Sequence, residues 1–276
     1  MGPPGSGKTT SLVTLLEAGL EVFVIFTEAN GLDSMIDAIN FIPGTWPRKV
    51  RPDAAELMKR FHYHVLPPPS AGMSAIRQAA IQVGTMSFKD LKTVRPDRSP
   101  DTMIALIDAV NAFTDQRTGV IYEDVALWDD SRALVIDGLS GINEIVRKLT
   151  VGHKPSPDQG EWGVMMGQEH DFIYNLIHET KCYFVLLAHI NRSVDDITQM
   201  KQITPAAITY SNSAKLGKDF SEVILAKREK DKFLWSTSES QTDIKNRALP
   251  ISDSIPPDFR LLVDAHRARV ASLTVT

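Results

Sequence analysis

The chain has 276 residues, of which 43% are hydrophobic and 23% charged, with a formal net charge of −4; that apolar share sustains a buried core and excludes wholesale disorder. A single cysteine excludes an internal disulfide or a cysteine-built zinc site and suits a reducing cytoplasm. No apolar run approaches the roughly 20 residues of a membrane helix, nothing reads as a signal peptide, and the mildly acidic balance argues against blanket coating of nucleic acid while leaving room for a local basic groove.

In chain order, the first feature is Gly2-Pro3-Pro4-Gly5-Ser6-Gly7-Lys8-Thr9, which satisfies the G-x-x-x-x-G-K-[ST] pattern in full. Glycines let a backbone curl so that successive N–H groups point at phosphate oxygens. Lys8 is then placed to reach the β- and γ-phosphates, and the Thr9 hydroxyl to ligate Mg²⁺. Thr10 to Ala18 reads as a helix whose N-terminal dipole adds to the anion site. Gly2 through Thr10 therefore predict a site for ATP and Mg²⁺. Such a loop ordinarily follows a buried strand, yet only Met1 precedes Gly2. Truncation is the favoured account; the β-branched run Arg269 to Thr276 is the alternative, as a permuted strand filling the same place.

Beyond the loop, strands and helices alternate, the pattern of a mostly parallel sheet with helices on both faces. Glu21 to Thr27 is a short continuous apolar run suited to a strand buried on both faces, and Leu32 to Phe41 reads as a helix ended by Pro43-Gly44. From about 45 to 130 the periodicity weakens. This stretch reads as an insertion on a single domain spanning 1–276, with a strand at Phe61 to Leu66 and helices at Met73 to Val83 and Thr102 to Phe113. The core resumes with a strand from Ala133 to Asp137 and a helix from Leu139 to Leu149. Trp162, Met165, Glu169, Phe172, Ile173 and Leu176 recur at helical spacing. Cys182 to Ala188 is the next buried strand, and Val223 to Lys227 with Phe233 to Thr237 reads as a hairpin.

Several residues then stand out chemically. Asp137 ends an apolar strand, the position from which a carboxylate reaches Mg²⁺ through water. Its successor is Gly138 rather than Glu, so a general base must come from elsewhere. Glu28, directly after the Glu21–Thr27 strand, is the best candidate, because carboxyl ends of parallel strands converge on the ligand crevice; Glu144, farther along a helix, is the runner-up. His189 ends the strand YFVLLAH in the same layer, where it can hydrogen-bond a γ-phosphate and report hydrolysis to the next loop. His62 and His64 share one face of a strand but lack a third ligand nearby, so they read as structural. Lys245 and Arg247, two apart on an extended segment, are placed to complete charge neutralisation, supplied by one subunit to the next.

With the loop, FTEANGLD, LVIDGLSG and LLAHINR in this order, the chain resembles RecA-type P-loop ATPases (the broader RecA and AAA group). More narrowly it resembles phage-encoded RecA-like nucleotide-binding proteins, some of which act in single-strand annealing and recombination. The resemblance implies a three-layer sandwich around a mostly parallel sheet, with the first strand absent here. It matches Glu28 to the catalytic glutamate and His189 to the sensor glutamine, so histidine stands where the family carries glutamine. Similar phage proteins carry the Trp162-Gly163 helix, a strand at Phe220 to Ala226, and a Lys-x-Arg near Lys245-Asn246-Arg247; Ala188 to Ser193 also resembles a motif of replicative hexameric helicases. The same resemblance implies an ATPase in the host cytoplasm, and the reading of Lys245 and Arg247 implies a head-to-tail homo-oligomeric ring or filament. It would act on single-stranded DNA through Arg192, Lys201, Lys215 and Lys218, a patch diluted by Asp195, Asp196 and Asp219. Two other classes remain open from the residues. One is a nucleotide-binding assembly or structural protein of a virus particle with little turnover; the other is a small-molecule kinase, for which no arginine-rich lid is visible.

Overall fold

A computed structural model describes the chain except for residues 29, 69–71, 95–96, 153, 155, 195–200, 240–241 and 275–276. The helix after the glycine-rich loop is two short segments, α1 (Lys8–Ser11) and α2 (Val13–Glu17), joined at Leu12. There follow β1 (Glu21–Phe26), α3 (Gly31–Asn40), α4 (Ala54–Lys59), β2 (Phe61–Val65), α5 (Gly72–Thr85), α6 (Phe88–Thr93) and α7 (Asp101–Asn111). Then come β3 (Arg132–Asp137), α8 (Leu139–Val151), α9 (Gln159–Glu179), β4 (Tyr183–Leu187) and the pair β5 (Ile190–Val194) and β6 (Lys201–Pro205). The chain closes with α10 (Tyr210–Leu216), the hairpin β7 (Leu225–Glu229) and β8 (Lys232–Ser236), and α11 (Arg260–Thr274).

The central sheet has the order β2-β1-β3-β4, and every pairing in it is parallel. Parallel strands buried on both faces read as unbroken apolar runs rather than alternating ones, and β1 and β3 fit that rule. Val22, Val24, Phe26, Ala133 and Val135 face one core, built with Leu16, Met35, Ile39 and Val263. Phe23, Ile25, Leu134 and Ile136 face the other, built with Leu106, Ile142, Val146 and Ile173. Helices thus cover both faces of an α/β sheet. A capping box at Asp158 and Glu161 starts α9, whose Met165, Ile173 and Leu176 are buried at the expected spacing.

Two expectations change. The stretch read as an insertion supplies β2 to the central sheet, in register with β1 from Val22↔Phe61 to Phe26↔Val65, so part of it is core; α5, within the same stretch, has no buried residue among those described. The C-terminal run proposed as a permuted strand is helical through Thr274, with Val275 and Thr276 outside the described residues. Tertiary packing overrides its β-branched content there: Val263 is fully buried in the core, and Phe259 N donates to Thr14 Oγ1 at 2.8 Å, which pins the start of α11 to α2. Among the described residues no helix is long and apolar enough to cross a membrane.

Candidate functional site

The glycine-rich loop curls because Gly5 and Gly7 take φ of +70° and +80°, a region that side chains rarely adopt. Ser6 Oγ closes the turn by donating to Pro3 O at 2.8 Å. The Lys8 ammonium folds back to donate to Gly2 O at 2.8 Å and Pro3 O at 3.0 Å. Burial holds this amine below the usual lysine range, while the Asp137 and Glu28 charges oppose that shift.

Across the strand ends, Thr9 Oγ1 donates to Asp137 Oδ2 at 2.8 Å. The two positions singled out for a cation are therefore adjacent, although 128 residues apart in sequence. Burial, and then the Glu28 charge, raise the Asp137 carboxyl above its ordinary range, against the Thr9 hydrogen bond and the Lys8 charge. A hydroxyl and a buried carboxylate are hard oxygen donors, a pair that would suit a divalent cation.

Glu28 is positioned by the residue before it. Thr27 N donates to Asp137 O at 3.0 Å and Thr27 Oγ1 to Gly138 O at 2.6 Å, which stitches the ends of β1 and β3 together. The Glu28 side chain then lies across Gly138. A Cβ at Gly138 would stand 2.4 Å from Glu28 Cγ and Oε1. The acid missing beside Asp137 in the sequence is thus replaced in space by one from the neighbouring strand, and glycine at 138 is the condition for it. Glu28 Oε2 meets His189 Nε2 at 3.3 Å, while Glu28 Oε1 and His189 Nδ1 are buried with no hydrogen-bond partner. Buried polar atoms nearly always have partners, so this pair keeps two unmet hydrogen-bonding positions.

These groups share one pocket of about 500 Å³ at the carboxyl ends of β1, β3 and β4. Arg228 and Phe233, which no sequence pattern pointed to, reach it from the β7–β8 hairpin. A Cβ at Gly7 would stand 2.6 Å from the Phe233 ring, and the Arg228 guanidinium lies 5.8 Å from that ring's centroid. No motif spacing links a distant hairpin to the loop. The hairpin β5–β6 springs directly from His189, whose carbonyl accepts from Ala206 N at 2.8 Å.

Other candidates are not brought here. Glu144 is exposed and ion-paired to Arg147 at 3.8 Å. Lys245 Nζ donates to Lys218 O at 2.6 Å, the Arg247 backbone N donates to Glu222, and Arg247 lines the adjoining groove beyond β4, which shares Lys8, Leu187 and Ala188 with the loop pocket. His62 is buried against Asp115 at 3.1 Å and His64 meets Thr114 O at 3.1 Å; among the described residues no group of three or more His, Cys, Asp or Glu is arranged for a metal. Arg192, Lys215, Lys218 and Asp219 are exposed. Asp195 and Asp196 lie outside the described residues, as does the side chain of Lys201. No protein-family model and no curated protein matches the chain.

Proposed function

We propose that the chain is a RecA-like P-loop ATPase that hydrolyses ATP with Mg²⁺ and acts on single-stranded DNA, in the setting of phage recombination or replication. The observation that carries this reading is the Thr9–Asp137 contact of 2.8 Å beside Lys8, with the Glu28–His189 pair in the same pocket. Loop N–H groups and the Lys8 ammonium would hold the phosphates, and Lys8 would offset charge that develops during in-line attack. Glu28, held by His189 and by the space above Gly138, would orient the attacking water. Thr9 and Asp137 would hold Mg²⁺, which when bound would supply Lewis-acid neutralisation of the phosphate oxygens. DNA contact is assigned to the β5–β6 hairpin and its exposed Arg192, because its first residue follows His189.

The test is ATP turnover with and without single-stranded DNA. Wild type is expected to hydrolyse ATP, faster with DNA. Lys8→Ala should lose binding or turnover with its fold intact, and Glu28→Gln should bind ATP yet lose at least about 100-fold in turnover. Normal turnover in Lys8→Ala would remove the assignment, and hydrolysis that survives Glu28→Gln but not Glu144→Gln would move the base to Glu144.

A further inference from the structure

Among the residues that line the phosphate-loop pocket, Lys8 and Arg228 are the two permanent cations. Lys8 belongs to the loop, whereas Arg228 is delivered by the β7–β8 hairpin from far along the chain. The hairpin is anchored. Trp235 is buried, meets the Phe259 ring edge-on at 4.9 Å, and exchanges two backbone hydrogen bonds with Ile255. In the hairpin register Ala226 stands opposite Trp235, and Arg228 opposite Phe233. Residues two apart on a strand share a face, so one face carries Ala226, Arg228, Phe233 and Trp235. That face lies on the loop. A Cβ at Gly2 would stand 2.5 Å from Ala226 O, and one at Gly7 2.6 Å from the Phe233 ring.

Arg228 is held without being neutralised. Its Nε donates to Lys230 O at 3.2 Å in the hairpin turn, and its guanidinium lies 5.8 Å from the Phe233 ring centroid. Among the described residues Arg228 forms no ion pair, whereas Lys227, on the opposite face of β7, is paired with Glu239. A guanidinium that lines a phosphate-loop pocket with no carboxylate against it is matched to an anion.

Its side of the loop decides which part of the anion it meets. Gly2 N donates to Ala188 O at 3.0 Å, and Ala226 N donates to Met1 O at 2.7 Å. The backbone entering the loop therefore passes between the ends of β4 and β7. His189 follows directly on one flank, and Arg228 stands two residues on along the other. Glu28 belongs to the first flank, since its Oε2 meets His189 Nε2 at 3.3 Å. In an in-line displacement the leaving oxygen lies across the phosphorus from the attacking water. With water at Glu28, the leaving side is the flank of Arg228.

We propose that Arg228 is a catalytic residue, supplied by the chain's own hairpin to the leaving side of the triphosphate. This rests on the ATPase reading above. As the water oxygen bonds to the γ-phosphorus and a proton passes to Glu28, the bond from that phosphorus to the β–γ bridging oxygen breaks. The electron pair stays on the ADP formed, and the guanidinium neutralises the charge that gathers there. The role is intramolecular, unlike the one considered for Arg247, which does not line this pocket.

The experiment measures ATP affinity with a fluorescent ATP analogue, and steady-state turnover, for wild type, Arg228→Ala and Arg228→Lys. Arg228 is exposed, so both variants should keep the wild-type thermal midpoint. Arg228→Ala is expected to bind ATP within about threefold of wild type while kcat falls at least about 100-fold. Arg228→Lys, which keeps the charge but loses the planar fork, should fall between the two. Free guanidinium at a non-denaturing concentration should restore turnover to Arg228→Ala and not to Glu28→Gln. Mixing Arg228→Ala with Lys8→Ala should restore nothing, because both groups serve one site in one chain. Wild-type kcat in Arg228→Ala would overturn the proposal, as would a loss confined to ATP affinity or a recovery in the mixture. Each of those results leaves the ATPase reading in place. A wild type that does not turn over ATP would remove that reading and this role together.

Discussion

At the level of single residues, the buried carboxyl of Asp137 carries a cost in stability. Its folded carboxyl is raised by burial and by Glu28. The folded state therefore binds this proton more tightly than the unfolded chain, and the associated stability is lost as pH rises through the folded pKa. At neutral pH the buried charge destabilises the ligand-free protein. Asp137→Asn should thus raise unfolding stability by about 1 kcal/mol near pH 7 while abolishing Mg²⁺-dependent turnover. Chemical denaturation at pH 7 checks the first half, and a lower midpoint in the variant would contradict it. The curled loop and the strand that ends at Asp137 were each legible in the sequence because each is one unbroken run of residues. The fit of Glu28 over Gly138 was not, because it depends on two strand ends 111 residues apart meeting side by side.

Among the elements, the close approach of α8 to β1 depends on Gly141. A Cβ there would stand 2.3 Å from Thr27 O, a backbone atom with no freedom to swing away. Gly141→Ala should destabilise by about 1–3 kcal/mol, read as a lower urea midpoint at unchanged m. Gly163, inside α9, is the contrasting case, because an added Cβ there would meet nothing within 4 Å. Gly163→Ala should gain roughly 0.5–1 kcal/mol from helix propensity. Equal effects of the two would show that the contact at Thr27 does not set the packing. Strands buried on both faces announced themselves by unbroken apolar runs, and β1 and β3 stand where those runs are; β4 carries the same pattern, but of Tyr183–Leu187 only Leu187 is buried. The segment from Arg269 misled because its valines and threonines favour a strand locally, while Phe259 and Val263 commit α11 to helix through contacts with α2 that no local pattern encodes.

For the molecule as a whole, the position of Arg247 bears on assembly. It does not line the phosphate-loop pocket of its own chain. If Arg247 completes charge neutralisation, it does so in a neighbouring subunit across a head-to-tail interface. Arg247→Ala should then bind ATP but hydrolyse it poorly, and mixing it with Lys8→Ala should restore part of the activity. Absence of rescue, with a strictly monomeric and active wild type, would dismiss the trans role. Strand order has a different consequence, for synthesis. β1 pairs with β3, whose Arg132 lies 111 positions after Glu21. At 5–20 residues per second, the ribosome delivers β3 about 6–20 s after β1. For that interval Val22 to Phe26 have no partner on the β3 side, so the nascent chain carries an apolar strand that must be shielded until its neighbour emerges.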